Sequence, residues 1–216
     1  MTLRRIVVGL DPRSQDRVAL EATAELAARL RAELVGLFVE DIDLLHLAGL
    51  PFAREVGFPS ATTRALDIEA MERSLRTVAG NVQRTMAAIA ARGLVPWSFR
   101  VTRGALMTEL CAAATEGDIL VTGALRFGLP SSLSVLCYAT TPPELVVPAA
   151  AALARSTGRG VEIVLLDGDD ATAQRWENTA RELLAAHGGD LQMRTVSARA
   201  GSDKRGEKGG SRSGNR

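Results

Sequence analysis

Aromatic residues make up only 4% of this 216-residue chain, with one tyrosine, two tryptophans and five phenylalanines. A core of stacked rings is therefore excluded. The 46% hydrophobic content has to pack as Val, Leu, Ile and Ala, the usual material of a parallel sheet with helices on both faces. Histidine and cysteine are just as scarce, at two each. His46 and His187 have no carboxylate or thiol at ligand spacing, so no metal site is expected. Cys111 and Cys137 form no CxxC pair, which suits a reducing compartment where thiols act as small apolar groups. Crossing a bilayer takes roughly 20 mostly apolar residues in a row, and the longest apolar tract, residues 131–154, is broken by Pro142, Pro143, Glu144 and Pro148. Residues 1–6 carry two arginines but no secretory apolar stretch. A soluble, cytoplasmic protein is the expectation, without membrane contact. No Ser–His–Asp set or nucleophile elbow is present, so covalent and metal-assisted catalysis are not expected, nor is an enzyme.

Charge is balanced overall at +1 but unevenly placed. Residues 199–216 hold six basic and two acidic side chains, which leaves −3 for the remainder. That terminal stretch has five glycines and no apolar periodicity, so 198–216 reads as a disordered basic tail. The folded part carries no basic footprint for nucleic acid, and no nucleic-acid partner is expected.

What the chain does contain is a repeat. A shift of 127 positions lays Val8 on Val135, Ala22 on Ala149, Leu26 on Leu153, Leu34 on Val161 and Phe38 on Leu165, without a gap. Such self-similarity points to two copies of one unit. In the first copy, short apolar runs at 6–10 and 34–39 read as strands flanking a helix with Val18, Ala22, Leu26 and Leu30 on one side. Residues 41–66 form a long connection rich in Leu and Phe, punctuated by Pro and Gly, and connections of that length are usually functional or interface-forming. Ile68, Met71, Leu75, Val78, Val82, Met86 and Ile89 then make one helical stripe, stopped by Gly93 and Pro96. Strands are expected at 97–102 and 118–121, with a short helix between them through Leu106 and Leu110. The second copy reads strand 133–137, helix 144–157, strand 161–166, helix 172–187 and strand 191–196. Strands alternating with helices predict an α/β fold with a doubly wound parallel sheet. The domain reading is 1–126 as one unit lacking its last helix and strand, and 133–197 as a truncated second repeat. Ligands in such sheets sit at the carboxyl ends of strands, where strand order reverses, here between Asp11, Pro12, Val39 and Gly123.

The run IVVGLD at 6–11, AELVGLFVED at 32–41 and TRGALMTELCAAATEGDILVTG at 102–123 resemble the universal stress protein family. The resemblance is good over residues 3–123 and weaker over 133–196. It implies the adenine-nucleotide-binding kind of α/β fold, with Asp11 contacting an adenosine and the backbone of Val39 reading adenine. The residues by themselves leave Asp11 equally readable as a turn acid. The family's phosphate cradle is a Gly, two residues, a Gly, nine residues, then Gly with Ser or Thr. Counted from Gly123, this chain supplies Arg126, Leu136 and Cys137 instead, and side chains there would keep a phosphate away. Gly128, Ser131 and Ser132, with Gly123, remain candidates for an amide nest or a plain connector.

The expectation is thus a non-enzymatic relative of universal stress proteins, without a cofactor, acting in a stress response through protein contact. Its partner would be a second copy or another protein bound through residues 41–66. The alternative is a module that binds ATP or another adenine nucleotide at Asp11, Val39 and Gly123.

Overall fold

The computed structural model describes residues 3–12, 16–52, 54–56, 63–65, 67–123, 132–166, 170–187 and 191–196. The first half runs β1 (Arg5–Leu10), α1 (Arg17–Leu30), β2 (Glu33–Asp41), α2 (Ile42–Ala48), β3 (Arg54–Val56), β4 (Thr63–Ala65), α3 (Ile68–Gly93), β5 (Trp97–Gly104), α4 (Leu106–Ala113) and β6 (Ile119–Gly123). The second runs β7 (Leu133–Tyr138), α5 (Pro143–Thr157), β8 (Val161–Leu166), α6 (Asp170–His187) and β9 (Leu191–Val196). Moving α1 by 127 positions lays it on α5 to within a residue at its start and on its last residue.

Seven strands form one sheet in the order β5-β2-β1-β6-β7-β8-β9, and the small β3–β4 hairpin stands apart. Both halves therefore share a sheet. The sheet is mostly parallel, as the βα alternation predicts, with one exception: β6 and β7 pair antiparallel, Gly123 opposite Leu133 and Leu120 opposite Leu136. The physical reason is connection length. Parallel neighbours need a crossover of a dozen or more residues, and only nine lie between Gly123 and Leu133. As a result the carboxyl ends of β1, β2, β5 and β6 lie on one side of the sheet, and those of β7, β8 and β9 on the other.

Side chains alternate across each strand and build two cores. Ile6, Val8, Leu34, Phe38, Ile119, Val121, Val135 and Ile163 pack under α1, α3, α5 and α6, in one cluster that includes Val146, Trp176 and Ala180 from the second half. Val7, Leu37, Val39, Leu120, Leu136 and Val164 form the opposite layer with Leu110 of α4. Gly36 on β2 is what lets α3 lie so close, because a Cβ there would stand 2.5 Å from Met86 Sδ and 2.8 Å from the Phe99 ring.

The long connection at 41–66 holds regular structure among its described residues. Asp41 accepts from Asp43 N at 2.9 Å and caps α2, and β3 and β4 form the hairpin. Asp67 then accepts from Glu69 N and Ala70 N to start α3.

Cys137 lies fully buried in β7, and burial pushes its thiol up to about 12. Cys111 on α4 is half-buried, and burial raises it too. Because alkylation needs a thiolate that can be reached, iodoacetamide on the native protein is expected to label Cys111 slowly and Cys137 not at all. Peptide mass mapping that found both thiols modified at similar rates would mean that β7 opens readily.

Candidate functional site

Three of the expected site residues stand at carboxyl ends of first-half strands. Asp11 follows β1 and is half-buried; Val39, near the end of β2, is 1% exposed and faces the α4 layer; Gly123 closes β6. Ser132 is half-buried just before β7. Gly128 and Ser131 lie outside the described residues, as does Arg126.

The edge of β6 at Gly123 is paired with β7. Leu136 and Cys137 are therefore not in a loop: both are fully buried inside β7, one in each core layer. Both stand in the strand expected at 133–137.

Between the ends of β1 and β6, the described residues enclose a cavity of about 30 Å³, lined by Gly9, Leu10, Asp16, Leu20, Thr23, Thr122, Gly123 and Leu133 among others. That is space on the scale of one water molecule, whereas small-molecule sites occupy roughly 300 Å³ or more. Thr122 Oγ1 donates to Gly9 O at 3.4 Å and ties the two strand ends together.

Asp16 governs the electrostatics here. It caps α1, accepting from Ala19 N at 3.2 Å through Oδ1. Its other oxygen accepts from Arg159 Nη1. Arg159 belongs to the turn before β8, and Gly160 O accepts from Leu133 N at 3.0 Å. The antiparallel step explains this meeting, since it brings the amino end of β8 to the side where β1 ends. The N-terminus of a helix attracts anions. At α1 that attraction is already taken by a carboxylate, itself matched by a guanidinium.

Sequence reading missed the pair. Asp16 was visible as a helix-start acid, but nothing local marks Arg159 as its partner, 143 positions away. Tyr138, which ends β7 as Asp11 follows β1, donates through its hydroxyl to Cys111 O at 3.3 Å and so bridges to α4. No cluster of His, Cys, Asp or Glu able to hold a metal occurs among the described residues, and no helix among them is long and apolar enough to cross a membrane.

A second surface concerns residues 41–66. Leu45 and Ala48 of α2 are buried, but Ile42 is 37% exposed, Leu47 51%, Leu50 40% and Phe52 76%. Ile68 at the start of α3 is 45% exposed.

Fold and site together define an α/β protein with a mostly parallel seven-stranded sheet. Among solved structures, the chain aligns with a universal stress protein family member from Burkholderia pseudomallei at 20% identity, over 91% of this chain and 97% of that one, with a TM-score of 0.30. It aligns with a universal stress protein from Archaeoglobus fulgidus at 12% identity, over 91% and 79%, with a TM-score of 0.31. The cytoplasmic domain of a prokaryotic cation chloride cotransporter aligns at 11% identity, over 91% and 79%, with a TM-score of 0.28. No protein-family model matches the chain, and no curated protein does. Superpositions this loose transfer neither family nor activity.

Proposed function

We propose that this chain is a non-enzymatic protein that acts by binding another protein, with no nucleotide held in its crevice. What supports the reading is the set of described residues between the ends of β1 and β6: β7 on the edge of β6, Arg159 on Asp16, and a cavity of about 30 Å³. The docking face is residues 41–66, where Ile42, Leu47, Leu50 and Phe52 stand exposed. Large apolar side chains exposed in one short segment are the ground for placing the contact there. The sequence resemblance to universal stress proteins is the ground for assigning the contact to a stress response and to the cytoplasm.

Calorimetric titration of the full chain with ATP, ADP, AMP and adenosine tests the reading. No saturable heat up to millimolar ligand is expected. Saturable heat that Asp11→Ala abolishes would replace this reading with the alternative, an adenine-nucleotide module using Asp11, Val39 and Gly123.

A further inference from the structure

Among the described residues, the first-half edge of the sheet is a strand with no outer neighbour. β5 runs eight residues, Trp97–Gly104, and pairs only with β2. Leu34 N donates to Pro96 O at 2.9 Å, so Pro96 directs its carbonyl at β2. Backbone groups alternate sides along a strand. Ser98, Arg100 and Thr102 therefore serve the β2 ladder, while Trp97, Phe99, Val101 and Arg103 point their N–H and C=O groups outward.

Exposed edges are normally guarded by charge, proline, shortness or a bulge. This one is long and has no proline inside it. Arg103 is engaged by Glu40 at 3.0 Å and by Glu72 at 3.2 Å, whereas Arg100 has no ion pair among the described residues. Meanwhile Trp97 is 37% exposed and Val101 47%.

We propose that β5 is the seam of a two-fold dimer, in which the strand pairs antiparallel with β5 of a second copy about Phe99. Pairing about Phe99 sets Trp97 opposite Val101 of the second copy, Phe99 opposite Phe99, and Val101 opposite Trp97. All three are positions whose backbone groups point outward, so about six interchain hydrogen bonds form in the hydrogen-bonded pairs. The same three pairs lie on the α3 side and cover each other, as aromatic and β-branched cross-strand neighbours do. Centring the two-fold on Arg100 would set two guanidiniums face to face, and like charges directly opposite are unfavourable.

The helix layer fits the same operator. α3 lies over β2 and β5, so with strands about 4.8 Å apart the second α3 arrives roughly 10 Å away, a helix-packing distance. Met86 and Phe99 both reach the point above Gly36, which puts Ala87 of α3 at the level of Phe99. Ala87 and Gly80 lie toward the Glu72 side of α3, away from the Arg92–Glu21 contact with α1. An added Cβ at Gly80 meets nothing within 4 Å. A glycine inside a helix is less favourable than alanine, and close approach of a second helix gives it a use.

This pairing is independent of the docking role proposed for residues 41–66, and its test keeps the two apart. Sedimentation of the full chain from low micromolar to near-millimolar concentration is expected to show monomer and dimer in reversible exchange. Val101→Lys places a charge in the seam and is expected to weaken association at least about tenfold. Val101→Pro removes only an outward N–H, so it should do the same while circular dichroism stays native. Hydrogen exchange adds a readout specific to the seam: amides of Trp97, Phe99 and Val101 gain protection with concentration, while those of Ser98, Arg100 and Thr102 do not change. A monomer at every concentration, open-ended polymers, or a dimer that Val101→Lys spares and Phe52→Asp dissolves would each overturn the proposal.

Discussion

Arg5→Met is expected to lower the stability of the folded chain by about 3 kcal/mol, the low end of the cost of stranding a buried charge. Arg5 opens β1 and reaches across to Asp118, just before β6, with Nε 3.2 Å from Oδ1 and Nη2 2.5 Å from Oδ2. Asp118 is 1% exposed. Thr115 donates to the same carboxylate from its amide at 2.8 Å and its hydroxyl at 2.9 Å, and Arg5 also reaches Thr115 Oγ1 at 2.9 Å. The hydrogen bond to Asp118 raises the Arg5 pKa, more than burial lowers it. A cation whose proton is held more tightly in the folded state stabilises the fold below its ordinary titration range, so this contribution is present across the neutral window. Removing Arg5 leaves the Asp118 carboxylate buried with only two Thr115 donors. The guanidinium is partly exposed, at 27%, so water relieves some of the loss, which places the estimate low in the range. Asp118→Asn added to Arg5→Met removes the stranded charge, and the double variant is expected to be more stable than Arg5→Met alone. Urea midpoints at unchanged slope measure both steps. A double variant no more stable than the single would mean that the pair contributes hydrogen-bond geometry and not charge compensation.

The Arg5–Asp118 pair also shows what a sequence conceals. Strand and helix positions were legible wherever one period dominated: the stripe from Leu75 to Ile89 locates α3, and the runs at 161–166 and 191–196 coincide with β8 and β9. α2 escaped because Leu44, Leu45 and Leu47 follow one another too closely to declare a face, although Asp41 before them and Gly49 after them are start and stop signals. β3 and β4 are three residues each, too short for alternation to show. Strand-end residues such as Asp11, Val39 and Gly123 were legible because they follow from strand boundaries alone. Leu136 and Cys137 lie within the strand that the apolar run at 133–137 already marked. The Asp16–Arg159 contact depends on strand direction. It becomes derivable only after the short connection has been read as an antiparallel step, since otherwise β8 would begin on the wrong side of the sheet.

Trp176→Ala is expected to cost the whole chain about 3–5 kcal/mol, the range for deleting a buried aromatic side chain from a core, and to do so in one transition. Trp176 sits on α6 at 4% exposure and its Nε1 donates to Thr141 O at 2.7 Å, which fixes α6 over the turn between β7 and α5. Its neighbours in the core include Val146 and Ala150, and through them the same cluster runs without a break to Ala22, Leu26 and Phe38 of the first half. β7 meanwhile carries the ladder from β6 to β8. A cavity opened under α6 therefore weakens packing that both halves depend on. If the halves were separate cooperative units, the loss would appear only in second-half probes, and the first half would keep its midpoint. Denaturation followed in parallel by far-ultraviolet circular dichroism and by exchange of amides in β1 and β8 distinguishes the two cases. Midpoints that shift together identify one folding unit built across the antiparallel β6–β7 step. A first-half midpoint left in place would assign residues 133–196 to an appended layer, and the crevice beside Asp16 would then open whenever that layer detaches.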